Sequence, residues 1–387
     1  MLLVALCLLA VDPITPGQLK EALAAPPTGD AARALAEQIR AAAPKGIDPR
    51  RGLPPLIEKD LVAFVIEGPE SPTPRIEGMV NHGRGWNLIR LGETGFWARI
   101  ESIPTDTKFS YRYRAGDREL RGGEVEMPDW SYPPESKQRP GVKYGEYYPL
   151  RFRSKVYNND RTGWIYLLAA YETAEEIPAL MVFQDGDAYK REQVGTVVDN
   201  LIADKKMPVT VLILLNPGVN DDGSKNRSVE YDTLSDRYAQ FLETEVLPRV
   251  AQEVTFSDDP RLHAIAGASS GGICAFTVAW QRPNLFGRVC SQIGSFTNIR
   301  GGHVYPDLVR REPKRAIKIV LTDGDNDLIN QYGDWWQANQ ALYAALKEKG
   351  YDVSFLADHG FHAFWTCGRQ LPEALRRTWE DVVEKKD

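Results

Sequence analysis

The chain has 387 residues, room for two domains, and 43% of them are apolar, enough for substantial cores. With 26% charged residues, 32 Gly and 26 Pro, the composition excludes collagen, a coiled coil and wholesale disorder. Its 47 Lys and Arg against 53 Asp and Glu leave a net charge of −6, the wrong sign for a protein that grips nucleic acid through its phosphates.

Met1 to Ala10 are all apolar and end on a small residue, like the hydrophobic core of a secretory signal, although no Lys or Arg precedes Lys20. Residues 1–15 are therefore expected to be a signal segment with an incomplete basic start, and the protein to be periplasmic or secreted. Leu6 is too bulky for a lipoprotein motif at Cys7. No other run approaches the ~20 apolar residues of a membrane-spanning helix. Cys7, Cys274, Cys290 and Cys367 form no C-x-x-C pair and no metal spacing with the five histidines, so buried thiols are expected rather than a disulfide scaffold or a metal site.

Residues 16–58 read as a helical lead-in, with Leu19, Leu23, Leu35 and Ile39 among many alanines and breaks at Pro26-Pro27 and Pro44. Residues 59–130 change to short alternating runs, such as Leu61 to Val65, Phe96 to Ile100 and Phe109 to Tyr113, separated by turn residues; this texture predicts a small antiparallel β-sandwich. The aperiodic, Pro- and Tyr-rich stretch 131–146 reads as a linker. From 147 to 387, continuous apolar runs at Ala179–Phe183, Val209–Leu215, His263–Ala266, Arg288–Cys290 and Ile317–Leu321 alternate with helical stretches near 188–204, 234–252, 270–281, 334–349 and 371–385. That order predicts an α/β domain with a mostly parallel sheet covered on both faces, whose chemistry lies just past the carboxyl ends of the strands.

One strand end stands out. His263–Ala266 runs into Gly267-Ala268-Ser269-Ser270-Gly271-Gly272 and then an apolar helix, the strand, G-x-S-x-G and helix order of a nucleophile elbow. Ser269 is the candidate nucleophile. Its base should lie late in the chain, and His362 is chosen over His359 because Gly360 lets the loop turn back; His303 and His82 read as surface histidines. The acid should follow Ile317–Leu321, where Asp323, Asp325 and Asp327 are available; Asp327 is chosen, with Asp325 as its alternative. The backbone N–H groups of Ser270 and Asp187 are the candidate oxyanion donors. Arg227, Glu230 and Trp365 are candidate substrate-binding residues, Arg227 and Glu230 alternatively pairing with each other. Trp335 and Trp336 fit the helical pattern of 334–349 and read as core.

Phe183 to Gly186, Arg227 to Asp232, Gly267 to Gly272, Gly294-Ser295-Phe296 and Gly360-Phe361-His362 together resemble a family of α/β-hydrolases, the putative esterases, and are similar to its enterochelin-esterase-like branch. The resemblance covers about 60 to 387. It implies an immunoglobulin-like domain before the hydrolase, and a triad carried onto Ser269, Asp327 and His362. Relatives often have Met after the nucleophile, where this chain has Ser270. The resemblance implies a serine esterase acting without metal or cofactor on siderophore, feruloyl or acetyl esters, including those of carbohydrates. Acyl transfer of the mycolyltransferase type and non-catalytic carbohydrate binding are the alternatives.

Overall fold

The computed structural model describes residues 12–43, 52–68, 71–120 and 122–383. The expected signal segment and Cys7 lie outside them, apart from the last few residues of that segment. The chain divides into two compact units, Met1–Trp130 and Ser131–Asp387.

In the first unit, Leu56–Glu58, Leu61–Glu67, Phe96–Ser102 and Ile89–Arg90 form one antiparallel sheet. Pro74–Gly78, Trp86–Asn87, Lys108–Ala115, Arg118–Glu119 and Gly123–Glu126 form a second. Because side chains alternate along a strand, Leu61–Glu67 packs on both faces. Phe64 meets Trp86, Phe109 and Tyr111 of the second sheet. Ala63 and Val65 pack on the other side with Leu19, Leu35 and Ile39 from the helices Pro16–Ala24 and Gly29–Ala41. The lead-in thus closes a core rather than standing apart from one.

The second unit is built on an eight-stranded sheet: β1 (Glu146–Ser154), β2 (Asn159–Leu167), β3 (Ala179–Gln184), β4 (Thr210–Leu215), β5 (His263–Ala268), β6 (Arg288–Gln292), β7 (Lys318–Gly324) and β8 (Val353–Asp358). Their spatial order is β1-β2-β4-β3-β5-β6-β7-β8, with only β1 and β2 antiparallel to their neighbours. Every residue of β3 to β6 is buried, as strands covered on both faces require. The helices of five residues or more include α1 (Gly186–Arg191), α2 (Val194–Ala203), α3 (Arg227–Tyr231), α4 (Arg237–Phe241), α5 (Ser270–Gln281), α6 (Tyr305–Arg311), α7 (Trp335–Glu348) and α8 (Phe364–Val383). Alternation divides the core: Val182, Ile213, Ile265 and Leu321 pack with α4, α5 and α7, while Phe183, Leu214, Ala266 and Val320 pack with α2 and α8.

The apolar runs marked the central strands and missed three at the edges. β1 and β2 expose alternate residues, and β8 is mostly half-buried, so none of them presents a continuous apolar run. α8 begins at Phe364, seven residues before the expected start, which places Trp365 in its first turn. The stretch read as a linker is fastened to this unit: Asn200 donates to the carbonyls of Glu135 and Lys137, and Arg376 pairs with Glu135. Cys274, Cys290 and Cys367 are free and buried. Among the described residues, no helix is long and apolar enough to cross a membrane, and no group of three His, Cys, Asp or Glu could hold a metal ion.

Candidate active site

β5 ends at Ala268 and α5 begins at Ser270, leaving Ser269 at the bend with φ 58° and ψ −121°. An L-residue holds such a backbone only where the surroundings impose it, at a cost of roughly 1–3 kcal/mol. The imposing contacts are visible. The Ser269 N–H donates to Gln292 O at 2.9 Å and its carbonyl accepts from Ser295 N at 3.0 Å. A Cβ on Gly267 would sit 2.2 Å from the Gly271 carbonyl oxygen, so only glycine lets β5 and α5 cross this closely.

The loop after β8 brings His362 over this bend, and the loop after β7 brings Asp327 behind it. His362 Nε2 lies 2.8 Å from Ser269 Oγ, and His362 Nδ1 lies 2.5 Å from Asp327 Oδ1. A carboxylate can only accept, so Nδ1 carries the proton and Nε2 faces the serine as a lone pair. Asp327 is fully buried, whereas the His362 side chain keeps 13% of its surface exposed. Burial pushes the imidazole down to about 4, leaving it neutral and able to accept a proton at neutral pH. Asp325, the alternative acid, instead pairs with the exposed His359 at 2.9 Å. His263 is buried between the carbonyls of Ser257 and Leu285.

Behind the pair sits a second carboxyl group that sequence spacing had set aside. Asp323, in the last turnings of β7, is completely buried; burial and the neighbouring Asp327 charge raise its pKa well above the usual range. It therefore keeps its proton and donates it in a hydrogen bond to Asp327. That bond favours the Asp327 carboxylate, working against the burial that pushes Asp327 up to about 7. Two more neighbours were read from sequence as motif or core. Ser295 Oγ lies 3.2 Å from Ser269 Oγ and accepts from Trp335 Nε1 at 3.1 Å. The Trp335 ring stands edge-on to His362, 5.7 Å between centroids. The helical period correctly buries Trp335 but cannot say which buried group its indole N–H meets.

Other candidates fall differently. Ser270 is the first residue of α5, where a backbone N–H has no intrahelical partner. The Asp187 N–H, the other expected oxyanion donor, is committed to Asn216 Oδ1 at 2.9 Å, because the end of β4 lies beside α1 and its carboxamide reaches across. Arg227 and Glu230 do not pair with each other. Arg227 forks onto Asp185, Nε to Oδ1 at 2.8 Å and Nη2 to Oδ2 at 2.7 Å, and reaches Ala268 O at 3.3 Å beside the bend. Glu230 is buried against Arg161 and cannot meet a substrate. Trp365 is half-buried in α8.

A family profile described as "Putative esterase" matches residues 154–377. The chain is 30% identical over 267 residues to an iron(III) enterobactin esterase of Escherichia coli O6:H1, covering 67% of this chain and 62% of that one. It is 23% identical over 350 residues to an endo-1,4-beta-xylanase/feruloyl esterase of Xylanibacter ruminicola, covering 84% and 45%. The chain thus spans less than two thirds of either relative. The crystal structure of ferric enterobactin esterase from Salmonella typhimurium superposes with a TM-score of 0.66 at 21% identity, over 85% of this chain and 97% of that one, a likeness of α/β-hydrolase fold.

Proposed function

This chain belongs to the putative esterase family, and from that premise we propose that it is a serine esterase, hydrolysing carboxylic esters through an acyl-enzyme on Ser269. The observation that carries the reading is the unbroken run Ser269 Oγ, His362, Asp327 at a strained strand-to-helix bend. In it, His362 Nε2 takes the hydroxyl proton as Oγ attacks the ester carbonyl, and returns it to the departing alkoxide; water then repeats the cycle on the acyl-enzyme. Asp327 holds the imidazole in the tautomer this needs and stabilises the transient imidazolium. The Ser270 N–H, at the start of α5, faces the developing oxyanion, and the Asp187 N–H joins it only when Asn216 releases it.

For substrates, the reading takes aromatic-acyl or siderophore esters, the classes carried by the relatives' names. The antiparallel first unit is read as an immunoglobulin-like sandwich. The test is a panel of purified-protein assays with p-nitrophenyl acetate, a feruloyl-sugar ester and a catechol-siderophore triester. Hydrolysis of any of them supports the esterase, and the highest kcat/KM names its class. Inertness on all three, together with no fluorophosphonate label on Ser269, overturns it.

A further inference from the structure

The nucleophile has a second hydrogen-bond partner besides the imidazole, and its direction can be worked out from donor counting. An indole N–H only donates, so Trp335 Nε1 occupies a lone pair of Ser295 Oγ at 3.1 Å and leaves the Ser295 hydroxyl hydrogen unclaimed on that side. Ser269 has one hydroxyl hydrogen, and the unprotonated His362 Nε2 takes it at 2.8 Å. Across the remaining 3.2 Å contact, therefore, Ser295 is the donor and Ser269 Oγ the acceptor.

This arrangement is held rigidly. Ser295 is 1% exposed and its backbone N–H is bonded to the Ser269 carbonyl, so the two serines move as one unit. Asn339, one turn along α7 from Trp335, ties the carbonyls of Gly294 and Trp335 together at 2.9 and 3.0 Å.

We propose that Ser295 is a further catalytic residue, donating a hydrogen bond to Ser269 Oγ that stabilises it as the leaving group when the acyl-enzyme breaks down, with Trp335 as the positioning residue that sets the direction of that bond. The proposal rests on the esterase reading. In deacylation, water adds to the acyl carbon as His362 takes its proton. The C–Oγ bond then breaks, its electron pair stays on Oγ, and His362 returns the proton to Oγ. A donor already aimed at Oγ stabilises the charge that gathers there before the proton arrives. In acylation the same bond holds electron density on the attacking oxygen, so removing it should slow acylation much less.

The experiment measures p-nitrophenol release from p-nitrophenyl acetate and, by quenched intact-mass spectrometry, the decay of the acetyl-enzyme. Ser295→Ala should slow acetyl-enzyme decay by on the order of 10- to 100-fold while acylation changes only a few-fold, so the acetylated protein accumulates. Trp335→Phe keeps the ring against His362 and removes the donor; it should show the same split, smaller, and it stands in if Ser295→Ala folds poorly. Wild-type turnover with both steps unchanged in the two variants overturns the role of Ser295 alone. Both steps slowed equally overturns it too, since that marks a structural part only. A wild type that neither releases p-nitrophenol nor forms an acetyl-enzyme overturns the esterase reading and this proposal with it.

Discussion

Replacing Glu230 by Ala should be the most damaging single change near the site that touches no reacting atom. The Arg161 and Glu230 side chains are 1% and 0% exposed, joined at 2.7 and 3.0 Å in a two-pronged pair. Glu230 also accepts from Asn159 and Asn226 side-chain nitrogens at 3.1 and 3.0 Å and from Gly218 N at 3.2 Å. Arg161 lies over the rings of Tyr157 and Phe241, at 4.9 and 4.2 Å, so its faces are covered by apolar groups. Stranding a buried charge in this way costs about 3–5 kcal/mol. For a unit of this size that corresponds to a fall in Tm of roughly 6–20 °C. Activity should fall as well, because α3 carries Arg227, whose fork holds Asp185 beside the bend. The assay is urea unfolding followed by circular dichroism, with activity measured at low denaturant. An Arg161→Met/Glu230→Met variant, which removes both charges, should recover part of the stability, the Asn159, Asn226 and Gly218 donors still losing their acceptor. A loss below about 1 kcal/mol in Glu230→Ala would refute the reasoning, since a pair this enclosed has no other means of compensation.

Gly267→Ala should destabilise the protein by about 2–3 kcal/mol and abolish turnover, because the added methyl meets the Gly271 carbonyl at 2.2 Å; thermal unfolding and activity check both. The His362 ring, followed by NMR, should titrate near 4 rather than near the 6.5 of a free imidazole, since burial lowers its proton affinity. The same shift makes the unfolded chain the better proton binder, so stability is complete above 6.5 and is lost as pH falls toward 4. Asp323 has the opposite sign: raised in the folded state, it contributes stability at low pH that is lost as pH rises through its folded value. Asp323→Asn should therefore remove that loss of urea midpoint with rising pH and still donate to Asp327, retaining activity.

Ser269, Asp327 and His362 could be nominated from sequence because each follows a strand or a glycine turn, and the fold brings the three within hydrogen-bonding distance. Asp327 could be chosen over Asp323 and Asp325 from its place three residues past Gly324, but what becomes of the other two is tertiary: one loop turns Asp327 inward, Asp325 outward to His359, and seals Asp323 beneath. Ser295 and Trp335 could not be paired from the chain, since 40 positions separate them and each looks ordinary in its own element. Glu230 misled for a related reason. A charged residue on a loop past a strand suggests a ligand, and only the tertiary partner Arg161, on the strand β2 that lacks an apolar run, shows that it is buried. The central strands were legible because burial on both faces requires continuous apolar sequence, whereas edge strands meet no such demand.

The account rests on Ser269 as the nucleophile. The most direct test compares p-nitrophenyl acetate hydrolysis by the wild-type protein and by Ser269→Ala, with intact mass read after quenching. The account predicts a loss of at least about 1000-fold and an acetyl adduct on wild type alone. Equal rates in the two proteins, or an adduct that survives in Ser269→Ala, would contradict it.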